Sequence, residues 1–181
     1  IHDLLRPAFG QYFLSRPRRF GKSLLVSTLK AIFQGRRELF KGLFIDGTDY
    51  DWKTYPVIHL DMGSCHADSA VELDRKFMYL LEDQAKANSV SLARQGGSSC
   101  FSELVGKLAA RDGKVVILVD EYDKPLLGRL GQPGVRDIQA ALKAFYGVIK
   151  TTEFAQRFVL ITGVSKFSKV SIFSSLNNLT D

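Results

Sequence analysis

Cysteine is scarce in this 181-residue sequence, which contains only Cys65 and Cys100. Two cysteines provide neither a disulfide framework nor a metal site, so we expect two buried or half-buried thiols and a reducing, cytoplasmic location. Long apolar runs are also missing: none approaches the roughly 20 residues that a membrane helix needs. No signal-peptide pattern opens the chain. We therefore expect a domain without a membrane partner.

The rest of the composition is ordinary for a folded domain, with 45% hydrophobic and 24% charged residues. The length suits one domain, or one domain with a small appendage. The chain begins with Ile1 rather than Met, and we expect this residue to lie inside a structured region. We therefore interpret residues 1–181 as one core domain that is a fragment of a longer protein.

Positive charge is concentrated at the beginning of the chain, although the net charge is only +6. Residues 1–41 contain nine Lys or Arg and two acids, for +7, whereas residues 42–181 carry −1. A protein that coats DNA would usually spread its basic residues along a face. The concentration beside a Gly-Lys-Ser loop favours the phosphates of a small ligand and leaves nucleic acid open as a second partner.

Apolar runs that alternate with amphipathic segments predict the fold class. We predict strands over 11–15, 56–62, 115–119 and 157–163, and helices over 22–33, 70–87, 101–111 and 135–150. Residues 37–43 are predicted as a short helix or turn and residues 89–98 as irregular, while Ser69 and Glu72 form a capping box. This alternation indicates an α/β fold, a parallel sheet flanked by helices on both faces. The pattern alone does not give the strand order.

The segment Arg-Pro-Arg-Arg-Phe-Gly-Lys-Ser lies between the first strand and the first long helix. Gly-Lys-Ser in that context predicts a phosphate-binding loop (Walker A), whose backbone N–H groups cradle phosphates while the lysine reaches the outer ones. The helix adds the positive end of its dipole, and the glycine avoids a side chain that would block close backbone approach. The predicted nucleotide-binding residues are Arg16, Pro17, Arg18, Arg19, Phe20, Gly21, Lys22, Ser23 and Leu24.

One position departs from the full phosphate-loop pattern, which has glycine where this sequence has Arg16. The alternative interpretation of the segment is a basic turn that caps a helix. Two roles are equally open for Arg16, Arg18 and Arg19. They could contact phosphate, or they could be solvated charges or partners of neighbouring Asp residues.

A second motif ends the apolar run over 115–119 with Asp120 and Glu121 (Walker B). Ligands of open α/β sheets bind beyond the carboxyl ends of the strands. We predict that Asp120 and Ser23 hold Mg²⁺, and that Glu121 orients and deprotonates the attacking water as a catalytic residue together with Lys22. The alternative is a strand end with ordinary charges. Asp123 and Lys124 are interpreted as ordering the loop.

The strand over 157–163 ends in a polar residue at the same predicted edge. Thr162 is the first choice for a catalytic group that senses the γ-phosphate or the attacking water, and Ser165 is the second. A simple strand-ending turn is the alternative. Asp61, at the end of the strand over 56–62, is a further and less specific candidate.

The chain resembles the AAA-ATPase-like family of bacterial P-loop NTPases along nearly its whole length. The resemblance rests on FLSRPRRFGKSLLVSTLKAIF, YPVIHLD, VVILVDEYDKPL and FVLITGVSKFSKVSIFSSLNNLTD. The family tolerates a residue other than glycine at the Arg16 position, and the loop is also similar to that of archaeal-type ATPases. The resemblance implies ATP as substrate and Mg²⁺ as cofactor. It also implies the additional-strand class of P-loop fold, with Asp120 and Thr162 on adjacent strands.

The same resemblance implies parts that this sequence would lack: a last strand and a helical lid beyond Asp181, and often a fused C-terminal nuclease-like domain as effector. We therefore expect an Mg²⁺-dependent ATPase core that drives or switches an attached effector, with a homo-oligomer open. Two alternatives are a nucleotide-regulated binding or scaffold module with little hydrolysis, and a nucleic-acid-handling motor. A small-molecule kinase fits less well, because Asp120 and Glu121 suit water activation better than binding of an acceptor.

Overall fold

A four-stranded parallel sheet forms the centre of the fold in the computed structural model, which describes residues 1–129 and 131–164. Its strands are β1 (Gly10–Ser15), β2 (Val57–Asp61), β3 (Val115–Asp120) and β4 (Gln156–Gly163). The order across the sheet is β1-β4-β3-β2, and all three neighbouring pairs are parallel. The predicted parallel sheet is confirmed. The strand that comes last along the described chain lies second in the sheet, beside β1.

Helices cover both faces of this sheet, as predicted. They are α1 (His2–Leu5), α2 (Lys22–Phe33), α3 (Ala70–Ala87), α4 (Gly97–Asp112) and α5 (Val135–Thr151). Short 3₁₀ turns lie at Arg37–Phe40, Phe44–Gly47, Met62–Ser64, Lys124–Leu126 and Glu153–Ala155. None of the helices in the described ranges is both long and apolar enough to cross a membrane.

Two apolar cores lie on opposite faces of the sheet. Because of these two cores, β3 and β4 are buried on both sides. On one face, Leu29 and Phe33 of α2 belong to the same buried cluster as Val116 and Leu118 of β3. On the other face, α3, α4 and α5 pack against one another and against the sheet. Every residue of β3 is buried, which explains why its sequence is a continuous apolar run rather than an alternating pattern. Packing on both faces therefore holds β3 in position, and the end of β3 carries the two predicted carboxylates.

Three aromatic rings organise the core on the three-helix face. Phe145 of α5 stacks on Phe77 of α3, with ring centroids 4.0 Å apart, and on Phe101 of α4, with centroids 5.0 Å apart. Contacts of this kind stabilise a packing beyond the area they bury. They hold α5 against α3 and α4, and so fix the helix that runs back to the start of β4.

The beginning of α4 corrects the sequence-based prediction, which placed the helix at residue 101 and left 89–98 irregular. The helix begins at Gly97, after Gly96 with φ 86°. The Gly97 N–H donates to the Asp74 carboxylate at 2.8 Å, and a Cβ at Gly97 would lie 2.7 Å from the Cβ of Phe77. Close approach of α4 to α3 therefore decides this boundary, and periodicity along α4 cannot reveal it.

Two local predictions can be compared with the structure in detail. The helix or turn predicted over 37–43 is confirmed: the 3₁₀ turn at Arg37–Phe40 is followed by a turn in which the Leu43 N–H donates to the Phe40 carbonyl at 2.9 Å. In the capping box, the Ser69 hydroxyl accepts the Glu72 N–H at 3.2 Å as predicted. The Glu72 carboxylate, however, accepts the N–H of Asp68 at 2.8 Å instead of that of Ser69.

Candidate functional site

The loop between β1 and α2 is exposed apart from its lysine. Arg16 to Gly21 are exposed, whereas Lys22 is only 6% exposed. The Lys22 ammonium donates to the carbonyl oxygens of Arg16 and Pro17, both at 3.0 Å. The lysine therefore turns back and closes the loop on the two carbonyl groups at its start. This arrangement places one buried cation inside a loop of otherwise exposed backbone.

Gly21 sits at the N-cap of α2 in the left-handed conformation, with φ 73°. Its carbonyl accepts the N–H of Leu25 at 2.9 Å, the first bond of the helix. A Cβ at Gly21 would meet no atom of the described chain within 4 Å. Within the protein, the positive φ by itself favours glycine at this position, and the close approach of phosphate stays a prediction. Arg19 has φ 65° in the same loop.

Ser23 and Leu24 follow in the first turn of α2, and both are exposed. Leu24 is 71% exposed and Phe20 is 67% exposed. The Ser23 hydroxyl thus lies at the N-terminal end of a 12-residue helix, beside the loop. All nine residues predicted to bind nucleotide are contiguous at this end of α2.

The ends of β1, β4 and β3 form one hydrogen-bonded edge. The Arg16 N–H donates to the carbonyl of Gly163 at 3.2 Å, and the Tyr122 N–H donates to the carbonyl of Thr162 at 2.9 Å. Because neighbouring strands lie about 4.8 Å apart, the ends of β1 and β3 are separated by two strand spacings, or about 10 Å. The two predicted motifs therefore share one edge of the sheet, with β4 between them.

Asp120 is a buried carboxylate at the end of β3, with 5% exposure. Its Oδ1 accepts a hydrogen bond from the Thr162 hydroxyl and another from the Glu121 N–H at 3.0 Å. Within residues 1–129 and 131–164, no Lys or Arg forms an ion pair with it. Buried charges are normally paired or bound to a metal. The donor chemistry at Asp120 therefore fits a cation.

Thr162 contacts the carboxylate rather than open space. It is fully buried, and its hydroxyl donates to Asp120. The sequence predicted a group that senses the γ-phosphate or the attacking water, and that role stays a prediction; in the structure the hydroxyl is hydrogen-bonded to the neighbouring strand. Ser165, the second choice, lies outside the described residues. Asp61 is exposed, and its carboxylate caps the turn after β2 by accepting the Gly63 N–H at 2.8 Å.

Glu121 leaves the strand in an unusual backbone conformation, with φ 53°. Within the described ranges it is one of four non-glycine residues with positive φ, and another, Arg19, lies in the loop after β1. Positive φ in a non-glycine residue is strained and often marks a functional site. The Glu121 side chain is 32% exposed, and its Oε2 lies 3.5 Å from the Lys124 ammonium nitrogen. A partly exposed carboxylate thus stands beside a buried one.

Comparison with known proteins identifies the family of this chain. Residues 2–173 match a family described as "Predicted AAA-ATPase". The chain belongs to this AAA-ATPase-like family. A relative in Azotobacter chroococcum mcd 1, named "Uncharacterized protein in vnfD 5'region", is 43% identical over 173 residues, which cover 94% of this chain and 33% of that protein. The chain thus spans about a third of that relative's length. No solved structure matches the chain.

The positive charge of this AAA-ATPase-like chain is divided between the two ends of α2. Arg16, Arg18 and Arg19 lie at the N-terminal end and are exposed. At the other end, about 18 Å away for 12 residues, Arg36 pairs with a carboxylate at 3.4 Å and Arg37 with another at 2.7 Å. These partners are Glu38 and Asp46. The hydrogen bond from the Arg37 guanidinium holds the pKa of Asp46 below its ordinary value.

The turn after Glu121 contains contacts that sequence reasoning missed. Asp123 is fully buried, and its carboxylate accepts the Val164 N–H, at 3.1 Å to Oδ2 and 3.4 Å to Oδ1. The sequence predicted local ordering by this residue, whereas the bond joins the turn to the residue that follows β4. A Cβ at Gly163 would lie 2.3 Å from the Tyr122 ring. The sequence feature that could have indicated this close contact is the glycine at the end of a buried strand.

We expect Gly163→Ala to lower the free energy of unfolding by about 1–3 kcal/mol, the usual range for overpacking. The added methyl would overlap Tyr122, which packs beneath it with no exposed surface. Urea denaturation measures the change. Gly106→Ala is the matched control, since a Cβ at this exposed position in α4 meets nothing within 4 Å and should stabilise the helix by up to about 1 kcal/mol. Equal unfolding midpoints for the two variants would contradict the packing argument.

Proposed function

We propose that this chain binds ATP with Mg²⁺ and hydrolyses it. The observation that carries the proposal is that two buried charges of opposite sign lie at one edge of the sheet without an ion pair between them. Lys22 is a buried cation in an exposed loop, and Asp120 is a buried carboxylate without a cationic side-chain partner in the described chain. A nucleotide phosphate group with its metal supplies the counter-charge for both. The family description supports ATP as the nucleotide.

Each predicted residue has a part in this proposal. Residues 16–24 would surround the phosphates, with Lys22 at the outer ones. Asp120 and the exposed Ser23 hydroxyl would hold Mg²⁺, which when bound neutralises phosphate charge. Hard oxygen ligands of this kind suit that ion. Thr162 acts as a positioning residue, because its hydroxyl fixes the Asp120 carboxylate.

Glu121 is the proposed general base. Its carboxylate is partly exposed and free of the strand, so it can accept a proton from water beyond the γ-phosphate, whereas the carboxylate of Asp120 is buried and occupied by two hydrogen bonds. Division of labour between two neighbouring carboxylates is a common way to separate metal binding from base catalysis. The pair therefore favours hydrolysis over passive binding.

The strand order supports a place in the additional-strand class of P-loop folds, because β4 lies between the loop strand β1 and the carboxylate strand β3. We propose that the chain acts as one ATPase core that drives or switches an attached effector. A nuclease-like domain and a homo-oligomer are the partners that the family resemblance suggests.

Two other functions make different predictions. A nucleotide-regulated scaffold would bind ATP but would not need a base at Glu121. A nucleic-acid-handling motor would need an accessible basic surface. The pairing of Arg36 and Arg37 with nearby carboxylates weakens that surface at one end of α2, so the motor is the less supported of the two.

The direct test is ATP turnover by the intact protein, measured with Mg²⁺, with excess EDTA, and with Mg²⁺ plus duplex DNA. We expect turnover with Mg²⁺, loss of turnover with EDTA, and less than about a twofold change on adding DNA, because the basic residues are divided and partly paired. Absence of Mg²⁺-dependent turnover in the intact protein would contradict the enzyme proposal.

The DNA arm of this assay has its own decisive outcome. One outcome would be salt-sensitive DNA binding, with a dissociation constant on the order of micromolar or tighter, that is lost on replacing Arg36, Arg37 and Lys41. In that case the N-terminal positive charge would serve DNA binding rather than binding of a small ligand, and the motor interpretation would apply. Replacement of these three residues should otherwise leave turnover unchanged, because they lie at the far end of α2 from the loop.

A further inference from the structure

The Glu121 carboxylate forms an ion pair with Lys124, and the shortest contact is made by one of its two oxygens. Oε2 lies 3.5 Å from the Lys124 ammonium nitrogen. Within residues 1–129 and 131–164, no hydrogen bond of the protein engages Oε1. The pair is partly shielded from water, with side-chain exposures of 21% for Lys124 and 32% for Glu121. An ion pair of this kind restricts the rotation of the carboxylate more than a fully exposed pair would.

The backbone holds Lys124 in place beside Glu121. The Lys124 N–H donates to the carbonyl of Glu121 at 2.9 Å, which closes a tight turn. The turn is tied to the rest of the fold by Tyr122, whose N–H bonds the end of β4 and whose carbonyl accepts the Tyr146 hydroxyl at 3.2 Å. Asp123 ties it again through the Val164 N–H. The ammonium group therefore projects from a rigid segment rather than from a free loop.

The turn after β2 lies close to the Glu121 carboxylate. A Cβ at Gly63, in the turn directly after β2, would lie 3.5 Å from Oε2 of Glu121. β2 flanks β3 on the side opposite to β4. Oε2 of Glu121 therefore lies on the side of β3 that faces β2, and not on the side of β4. Oε1, which accepts no hydrogen bond within the described chain, is the oxygen left for a water molecule.

From this geometry we propose that Lys124 is a positioning residue for Glu121: it binds Oε2 and fixes the carboxylate so that Oε1 accepts the proton of the attacking water. The inference rests on the proposed ATPase function and extends it to a residue outside the two motifs. Lys124 touches neither the nucleotide nor the metal in this scheme. Its effect on turnover is exerted through Glu121 alone.

The test compares Lys124→Met, which keeps the length of the side chain without its charge, with Lys124→Arg, which keeps the charge. In the intact protein we expect Lys124→Met to lower kcat roughly tenfold, because a misoriented base loses efficiency, and to leave KM for ATP within about a factor of two. Lys124→Arg should recover most of the lost kcat. Lys143→Met, at an exposed position of α5, is the control and should match the wild type.

Combination with Glu121→Gln separates positioning from a general structural effect. If Lys124 acts through Glu121, Lys124→Met should cause no further loss of kcat in the Glu121→Gln background, since residues that act as a unit are not additive. An equal loss in both backgrounds, an unchanged kcat or a raised kcat would overturn the inference while leaving the ATPase proposal intact. Absence of turnover in the wild type would overturn both.

Discussion

Glu121→Gln is expected to lower the rate of ATP hydrolysis by roughly 10²–10⁴-fold, the usual contribution of a positioned general base. Glutamine keeps the size of the side chain but cannot take up the proton. ATP affinity should be retained, because binding depends on the loop, Asp120 and the metal. Steady-state turnover and calorimetric ATP binding, measured on the same preparations of intact protein, test both halves of this prediction.

The contrast between retained binding and lost turnover is the informative part, because it assigns Glu121 to the transition state rather than to the ground state. Glu72→Gln is a matched control: Glu72 lies in the first turn of α3 and its carboxylate contacts Asp68 and Lys76. This variant should turn over like the wild type. If wild type and Glu121→Gln bind ATP and hydrolyse it equally fast, the scaffold or switch interpretation replaces the enzyme.

Lys22→Ala should weaken ATP binding by roughly 10²-fold or more, since charge-assisted hydrogen bonds to phosphate are worth about 1.5–3 kcal/mol each. The structure adds a second reason. The ammonium group also binds the carbonyl groups of Arg16 and Pro17, so its removal opens the loop as well as removing a charge. Isothermal calorimetry with ATP and Mg²⁺ measures the affinity.

Lys30→Ala is the control for this measurement, because Lys30 lies in the last turn of the same helix, away from the loop. Its ATP affinity should equal that of the wild type. Circular dichroism should show the same helix content for both variants, which excludes unfolding as the cause. Equal ATP affinity in the wild type and Lys22→Ala would contradict the assignment of the phosphate loop.

The sequence alone predicted the four strands, four of the helices and the polar residues at the ends of β3 and β4. Continuous apolar runs predicted β3 and β4 because strands buried on both faces need apolar side chains in every position. The helical period predicted α2 at its observed bounds, Lys22–Phe33. Since the motifs stand directly after strands or before helices, the candidate residues at the sheet edge could be named before any contact was known.

Tertiary structure alone decided how those residues meet. Strand order, the start of α4 and the hydrogen bond from Thr162 to Asp120 depend on contacts between segments far apart in the chain. Local patterns record whether a residue is buried, but not which partner buries it. For that reason the sequence could name Thr162 but could not show that its hydroxyl donates to Asp120.

The charged residues show most clearly what the sequence gives and what the structure adds. The sequence gives the net positive charge of residues 1–41, whereas the structure shows that this charge lies at the two ends of α2 and that Arg36 and Arg37 pair with carboxylates. It also brought Lys124 beside Glu121. Charge and residue type are written in the chain, but ion pairing depends on distances of a few ångströms, which only the folded backbone sets.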